Sequence, residues 1–450
     1  MRHVAVMSLS ASIGLVSMFL VDFVDLFFIA QLGDKSLTAA VGYAATLLYF
    51  TFAIALGLAI AVSALAARMI GSGNEEGARR IATSAIIFGV SVSVLISATV
   101  WISAPALLGL LGARGETAVS AASYLRIVVL AMPIGAFGTM CSFWLRAHGD
   151  ARRSMIVTLT AGAVNAVLDP IFIFGFGWGL EGAAYASVCA RTAMALSAVY
   201  PILKHYGGFA RFDLSAVRAD LPAILGISIP AVLTNIATPL GSSIVVRFLS
   251  PFGDSAVAGL AVIGRLTPLA FCVVFALSGA VGPIIGQNFG AKQYGRVRGT
   301  LTRAVLFAVG YVVAAWLLLL LLHAFVSNVF KLDAEASRLV FWFALCIAPL
   351  FIFNGSLFIA NAAFNNLKRP IWSSALNWGK NTIGVVPFVM VGAMLGGAPG
   401  VLIGQAVGGV FFGVLGLWLA YRLVARYETG ASDPDKPSWR LRSVQRSPGA

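Results

Sequence analysis

Charged residues are scarce in this chain. Asp, Glu, Lys and Arg together make up 11% of its 450 residues, whereas apolar residues make up 59% and the mean hydropathy is +0.92. A soluble globular domain carries about 25% charged residues. The composition therefore excludes an ordinary soluble protein and predicts an all-α polytopic membrane protein.

Cysteines and cofactor motifs are sparse as well. Cys141, Cys189, Cys272 and Cys346 all lie inside apolar runs, and their spacing fits neither a disulfide framework nor a metal site. No nucleotide-binding loop is evident, so we expect no cofactor. The net charge of +14 comes largely from Lys and Arg in short loops between apolar runs. That distribution is typical of a topology signal, and we expect no nucleic-acid partner.

Apolar runs long enough to cross a bilayer occur twelve times. A helix needs about 20 mostly apolar residues to cross the hydrocarbon core. The predicted spans, numbered 1 to 12 in chain order, are 4–31, 41–67, 81–111, 118–145, 154–176, 180–203, 222–249, 256–286, 300–327, 336–362, 371–394 and 398–425.

The basic loops predict the orientation. Lys and Arg cluster in the loops at 68–80, 146–153, 204–218, 292–298 and 368–369, whereas the opposite loops hold few. The positive-inside rule places the basic loops and both termini in the cytoplasm of a cell (inner or plasma) membrane protein. The predicted organisation is an N-terminal lobe at 1–203, a cytoplasmic connector at 204–221, a C-terminal lobe at 222–427 and a disordered cytoplasmic tail at 428–450.

The chain also repeats itself at a fixed distance. Segment 68–71 (RMIG) corresponds to segment 287–290 (QNFG), displaced by 290 − 71 = 219 residues, and Arg79 corresponds to Arg298 at the same displacement. Farther along, the displacement slips, and Asn165 falls opposite Asn381. Repeats of six spans begin on the same side of the membrane. The sequence therefore predicts two six-helix lobes related by a pseudo-two-fold axis along the membrane normal.

Three carboxylates stand out because they lie within spans. Asp22 and Asp25 belong to span 1, and Asp169 belongs to span 5. Asn165 precedes Asp169 by four residues, so helical geometry places both side chains on one face, and Pro170 follows, where a helix tends to kink. A charged residue at the bilayer centre costs about 2.5–3.5 kcal/mol on insertion scales. We therefore expect these groups to face a polar chamber in the first lobe.

This chamber has more than one possible use. Carboxylates in a poorly solvated site bind protons more readily than exposed ones, so Asp25, Asp169 and Asp22 can hold and release H⁺, with Asn165 as donor or acceptor. The oxygens of Asp25, Asn165 and Asp169 would also suit Na⁺. A third interpretation is a purely structural contact between helices, worth about 0.6–2 kcal/mol.

Several segments together resemble one family of transporters. They are VDLFFIAQLG (24–33), RMIGSGNEEGARR (68–80), RAHGDARRS (146–154), VNAVLDPIFIFGFGWGLEGAAYAS (164–187) and, in the second half, GQNFGAKQYGRVR (286–298). They are similar to the multidrug and toxic compound extrusion (MATE) family over about residues 4–425. The resemblance implies a secondary antiporter that exports organic cations or other amphipathic toxic compounds in exchange for H⁺ or Na⁺.

The resemblance also implies where coupling occurs. One branch of the family uses carboxylates in spans 7 and 10, which this chain lacks. The other, DinF-like branch uses spans 1 and 5, and Asp25, Asn165 and Asp169 match it. Asp22 stands where the family more often has an amide, so the resemblance assigns it no role.

Aromatic and amide side chains are candidates for a substrate cleft. Rings beside carboxylates suit lipophilic cations through apolar area and cation–π attraction, although for any single ring packing is the favoured interpretation. Lys380 either neutralises a second-half cavity, binds an anionic group or contacts neighbouring amides. The predicted cleft residues are Phe19, Phe23, Phe137, Phe172, Asn354, Asn377, Lys380 and Asn381. The predicted partners are a small amphipathic substrate and the lipid bilayer, and the predicted oligomeric state is a monomer.

Two other functions fit parts of the pattern. A flippase for lipid-linked saccharides or lipids, from the same superfamily, would need cations for a diphosphate, and Lys380, Arg247 and Arg265 lie within spans. The pair Asp22 and Asp25 superficially resembles the Mg²⁺-diphosphate motif of membrane prenyltransferases. Such enzymes need several carboxylates at a cytoplasmic mouth, and this motif has no second copy in the other half. We therefore expect a transporter and no enzyme.

Overall fold

A computed structural model of the chain describes residues 8–9, 12–14, 16–17, 28–29, 35–330 and 332–429. Most of span 1, including the predicted site residues Phe19, Asp22, Phe23 and Asp25, lies outside the described residues, as does the tail from 430 onward. The described elements are all helical.

Spans 2 to 6 form the described part of the first half. Their helices are Lys35–Gly71, Glu75–Leu110, Gly115–Leu130 with Met132–Ala147, Ala151–Pro170 with the π-helical turn Ile171–Gly175, and Gly179–His205. Span 4 consists of two helices that meet at an angle of 45°.

Spans 7 to 12 form the second half. Their helices are Leu214–Leu249, Asp254–Ala270 with Cys272–Gly290, Tyr294–Val329, Ala334–Trp342 with the π-helical turn Phe343–Ile347 and Ala348–Asn366, Pro370–Asn381, and Val386–Glu428. The helix of span 7 starts inside the predicted connector, because Asp213 caps it by accepting a hydrogen bond from the backbone N–H of Ser215 at 2.8 Å.

Spans 11 and 12 form a hairpin that closes at Gly397. This glycine has φ of 60° within the segment Val386–Glu428, a left-handed conformation that interrupts the helix. Beyond it the chain runs back along itself, since a Cβ atom at Gly400 would overlap Gly392 and a Cβ atom at Gly408 would overlap Gly384. Glycines at the crossing therefore let two backbones approach closely, as is common between membrane helices.

The described helices can account for eleven membrane crossings. Nine are long and apolar enough to cross a bilayer, and the bent pair of span 4 makes a tenth. One of the nine, Pro370–Glu428, is the hairpin of spans 11 and 12 and so supplies two crossings. Span 1 would bring both ends of the chain to the same side.

The repeated segments form one of the contacts between the two lobes, beside the packing of span 2 on span 7. We call the end of the molecule that carries the basic loops the basic face, and the opposite end the far face. At the basic face, a Cβ atom at Gly71 would overlap the carbonyl of Gln287, and a Cβ atom at Gly290 would overlap the carbonyl of Arg68. The contact is reciprocal, as the pseudo-two-fold axis requires. Nearby, Gln287 Nε2 donates to the carbonyl of Ala147 at 2.6 Å.

The chain between spans 6 and 7 is held against the first lobe. Arg79 donates to the carbonyls of Gly208 and Phe209, both at 3.3 Å. Tyr206 Oη donates to Asp150 Oδ2 at 2.7 Å. Partial burial raises the pKa of the Asp150 carboxyl, but hydrogen bonds from Tyr206 and Arg153 outweigh it, so the net pKa lies below the ordinary value.

Candidate functional site

The pair Asn165 and Asp169 is the clearest polar feature inside the first lobe. Both residues belong to the helix Ala151–Pro170 and are buried, with Asp169 fully inaccessible to solvent. Asn165 Nδ2 donates to Asp169 Oδ1 at 3.1 Å. The i,i+4 spacing thus joins the two side chains directly, and the amide stabilises the carboxylate when the latter is ionised.

The helix changes its geometry immediately after this pair. Its α-helical part ends at Pro170, and the residues Ile171–Gly175 form a π-helical turn instead of a simple kink. Proline provides no N–H and crowds the preceding turn, and π-turns occur frequently at functional sites. Asp169 therefore lies directly before an irregular turn of span 5.

The predicted partners of Asp169 cannot be placed. Asp22, Asp25, Phe19 and Phe23 lie outside the described residues. Among the described residues, no group of three or more His, Cys, Asp or Glu side chains could hold a metal ion. The predicted Na⁺ site at Asp25, Asn165 and Asp169 and the predicted H⁺ site stay predictions.

The two described aromatic candidates belong to different clusters. Phe137 is partly buried in span 4. It stacks on Phe209, which lies in the connector between spans 6 and 7, with ring centroids 6.0 Å apart. Phe172 stacks on Phe176 at 5.7 Å and contacts Trp178 at 5.4 Å. Phe176 and Trp178 are exposed, which is typical of aromatic residues near a membrane interface. These contacts indicate packing, and a role in substrate binding stays a prediction.

Lys380 contacts Asn354 in the second lobe. The lysine lies in the last turn of the helix Pro370–Asn381, and its Nζ donates to Asn354 Oδ1 on span 10. Both residues are partly exposed. The Lys380 stem lies beside Gly409 of span 12. Two of the predicted cleft residues are therefore direct neighbours.

Asn377 and Asn381 are held more tightly within the lobe. Asn377 Nδ2 donates to Asn361 Oδ1 at 3.0 Å and to the Ser373 carbonyl at 2.8 Å. Asn381 Nδ2 donates to the Asn377 carbonyl at 2.9 Å, and Gly241 of span 7 leaves room for its side chain. All three asparagines are buried. The geometry favours a structural role for these amides, and their predicted place in the cleft stays untested.

We predict that the Asn361–Asn377 hydrogen bond stabilises the second lobe without affecting substrate affinity. Hydrogen bonds between membrane helices average about 0.6 kcal/mol and reach about 1.7 kcal/mol. A double-mutant cycle of Asn361→Ala and Asn377→Ala should give a coupling of that size in the free energy of unfolding in mixed micelles. Zero coupling together with weakened substrate binding would instead place Asn377 in the cleft.

Some features at these sites were not predicted from the sequence. Ser374 Oγ donates to the Pro230 carbonyl at 2.5 Å, and Trp378 Nε1 donates to the Leu233 carbonyl at 3.1 Å, so span 11 is tied to span 7. Pro230 removes the helical donor for the carbonyl of Gly226 and not for its own, so the sequence carries no signal for the acceptors at Pro230 and Leu233. Asn361 likewise carries no signal, since one amide in an apolar run has no predictable partner.

A family model supports the repeat. The model described as MatE matches residues 11–171 and again residues 230–390. The two matches are displaced by 230 − 11 = 219 residues, the same distance found between the repeated loop segments. Together they cover well over half of the chain.

Individual relatives cover most of the chain. A FAD transporter from Shewanella oneidensis is 27% identical over 95% of this chain and 96% of its own length. The multidrug export protein MepA from Staphylococcus aureus is 26% identical over 68% of each chain. The crystal structure of a point mutant of the Vibrio cholerae MATE transporter VcmN superposes with a TM-score of 0.90 at 25% identity, covering 94% of this chain and 97% of that one.

The family comparison and the described helices agree on the architecture. Eleven crossings are described, span 1 completes the set, and solved MATE transporters share the arrangement. The chain is a multi-pass membrane protein of twelve helices in two lobes, and it belongs to the MATE family of transporters.

Proposed function

We propose that this transporter is a secondary antiporter that exports amphipathic organic compounds in exchange for H⁺ or Na⁺, with coupling through carboxylates of the first lobe, as in the DinF-like branch. The observation that carries the proposal is the buried Asn165–Asp169 pair at the start of a π-helical turn. The cell membrane, cytoplasmic termini and a monomeric state belong to the same proposal.

The proposed mechanism links ion binding to the shape of span 5. An ion can shift the equilibrium between inward and outward states only if it binds them with different affinities. A buried carboxylate in a deformable helix meets this requirement, because neutralisation by H⁺ or Na⁺ removes the free-energy cost of holding a charge in a dry site. The neutral form then favours the state in which Asp169 is least hydrated.

The absence of carboxylates in the second lobe supports this assignment. Between residues 221 and 427 the only acidic residues are Asp254, Asp333 and Glu335, all at helix starts on the far face. No span of the second lobe therefore offers a titrating carboxylate. The coupling groups are confined to Asp22, Asp25 and Asp169.

The cargo is proposed from the relatives. One relative of nearly full length is described as a FAD transporter and another as a multidrug export protein. Flavins and lipophilic dyes are both amphipathic and aromatic, and both are fluorescent. They are therefore suitable probes for transport.

The experiment is gradient-driven transport in proteoliposomes. We expect uptake of a fluorescent dye or flavin to follow an imposed H⁺ or Na⁺ gradient and to stop when the gradient is collapsed. A labelled lipid-linked saccharide or phospholipid in the same vesicles tests the flippase alternative. If lipid is translocated without a gradient and no soluble probe is transported, the protein is a flippase and the antiporter proposal is wrong.

A further inference from the structure

We propose that Lys380 and Asn354 form a subsite for a phosphate group of the transported substrate, between spans 10, 11 and 12. This inference rests on the proposed transport function, because it concerns the chemical class of the cargo. It assigns the second lobe a specific task, the recognition of anionic compounds, whereas the carboxylates of the first lobe handle the coupling ion.

The geometry provides several hydrogen-bond donors in one place. Lys380 Nζ donates to Asn354 Oδ1, and within the part of the chain that the structure describes this is the only hydrogen bond of either side chain. An ammonium group has three donors and an amide nitrogen has two. Because the amide oxygen is already engaged, the remaining donors lack an acceptor from the described protein, and both side chains are accessible.

The charge of Lys380 is not balanced within its own lobe. None of the ion pairs in the described residues involves Lys380, and the stretch from 336 to 427 contains no Asp or Glu. The helix dipole stabilises a cation in the last turn of a helix. It therefore lowers the free-energy cost of the charge on Lys380 but does not neutralise that charge. A cationic site of this kind is suited to an anionic ligand.

The two lobes thus carry opposite charges in equivalent spans. Span 5 contains Asn165 and Asp169, and the corresponding part of span 11 contains Lys380 and Asn381.

A merely structural lysine would not need a partly exposed position, since an apolar residue would fill the same space at less cost. The partly accessible position of Lys380 beside Asn354 therefore favours recognition over packing.

The identity of the donors favours phosphate over carboxylate. Recognition of a carboxylate by two parallel hydrogen bonds is typical of the planar arginine fork, whereas lysine binds phosphate as a point charge. The ammonium and amide donors point from separate helices and suit an anion with three terminal oxygens. The subsite is expected to take a phosphate monoester or diphosphate.

Equilibrium binding of two flavins to the full-length protein in zwitterionic nanodiscs tests the proposal. Riboflavin and flavin mononucleotide share the ring system and differ by one phosphate. Hydrogen bonds to charged groups contribute about 1.5–3 kcal/mol, which corresponds to roughly 10- to 150-fold in affinity. We expect flavin mononucleotide to bind more tightly than riboflavin by such a factor. Lys380→Gln should abolish that difference, because it should weaken the binding of flavin mononucleotide more than that of riboflavin.

Two further variants separate recognition from a structural role. Lys204→Gln removes an equal charge from the exposed end of the helix Gly179–His205, where Lys204 Nζ contacts Tyr200 Oη, and should leave both affinities unchanged. Lys380→Arg should retain part of the preference for the phosphorylated flavin. Equal weakening of both flavins by Lys380→Gln would mean that the lysine only supports the fold, and would overturn the proposal.

A lipid arm distinguishes the source of the phosphate. Dodecyl phosphate and dodecanol are compared as ligands in the same nanodiscs. If flavin mononucleotide binds more tightly than riboflavin in a manner that requires Lys380, the cargo is a soluble compound. If only dodecyl phosphate shows such a Lys380-dependent preference over dodecanol, the phosphate belongs to a lipid. Absence of any Lys380-dependent preference for phosphate in both series would contradict the subsite. Because binding is measured without a gradient, this outcome is independent of whether antiport itself is found.

Discussion

Replacing Asp169 by asparagine should abolish ion-driven transport while leaving the protein folded. The introduced amide keeps an oxygen that can accept the hydrogen bond from Asn165 Nδ2, but it can neither bind a proton nor provide a negative charge for Na⁺. Coupling free energies between two ligands are about 1–3 kcal/mol, or roughly 5- to 150-fold. Because the substitution removes this coupling, we expect the ratio of transport with a gradient to transport without one to fall to unity.

The stability of the Asp169→Asn variant serves as the internal control. Asparagine keeps an acceptor for Asn165 Nδ2, and removing a buried charge can be neutral or stabilising, so the melting temperature should not fall by more than a few degrees. Glu181→Gln is the matched variant, since Glu181 accepts a hydrogen bond from Ser123 at 2.7 Å in an exposed position. It should transport normally. Full coupling in Asp169→Asn would exclude Asp169 as a coupling group.

Adding a single methyl group at the contact between the lobes should open the basic face. The Cβ atom of Gly71→Ala would overlap the Gln287 carbonyl, and that of Gly290→Ala would overlap the Arg68 carbonyl. Forcing extra volume into a packed contact costs about 1–3 kcal/mol, which is roughly a 5- to 150-fold shift of a two-state equilibrium. We expect each variant to populate a state in which the lobes have separated at this face.

Spin labels at Glu75 and Gln293 report this opening. Both positions are exposed on the basic face, one on each lobe. In a background without the four native cysteines, the distance distribution should gain a longer component in either glycine variant. Gly299→Ala is the control, because a Cβ atom there would have nothing within 4 Å. A distribution identical in Gly71→Ala, Gly290→Ala and Gly299→Ala would show that this contact does not hold the basic face closed.

Apolar periodicity and loop chemistry made much of the architecture predictable. The hydrophobic runs predicted twelve spans, of which the described helices account for eleven, because backbone hydrogen bonding in lipid leaves helices as the available structure. The repeat of RMIG as QNFG indicated two related lobes, and these two segments contact each other where the lobes meet at the basic face. The family resemblance was likewise confirmed.

Other features depend on neighbours that a sequence does not reveal. The helix of span 7 begins at Leu214 because Asp213 caps it. The sequence of a polar connector does not show from which backbone N–H an aspartate will accept a hydrogen bond. The π-helical turn after Pro170 and the contact of Lys380 with Asn354 likewise arise from tertiary packing. The spacing of Asn165 and Asp169 was sufficient to predict their shared face, because an i,i+4 relation is local.

The most direct test of coupling through the first lobe is the release of bound substrate as a function of pH and Na⁺ concentration in the purified protein. For the wild type, we predict that release rises as the coupling ion is added. Neutralising Asp22, Asp25 and Asp169 together should leave substrate binding measurable and independent of both ions, and Lys380→Gln should retain the ion dependence. An ion dependence that survives the triple substitution, or that disappears with Lys380→Gln alone, would contradict coupling through the first lobe.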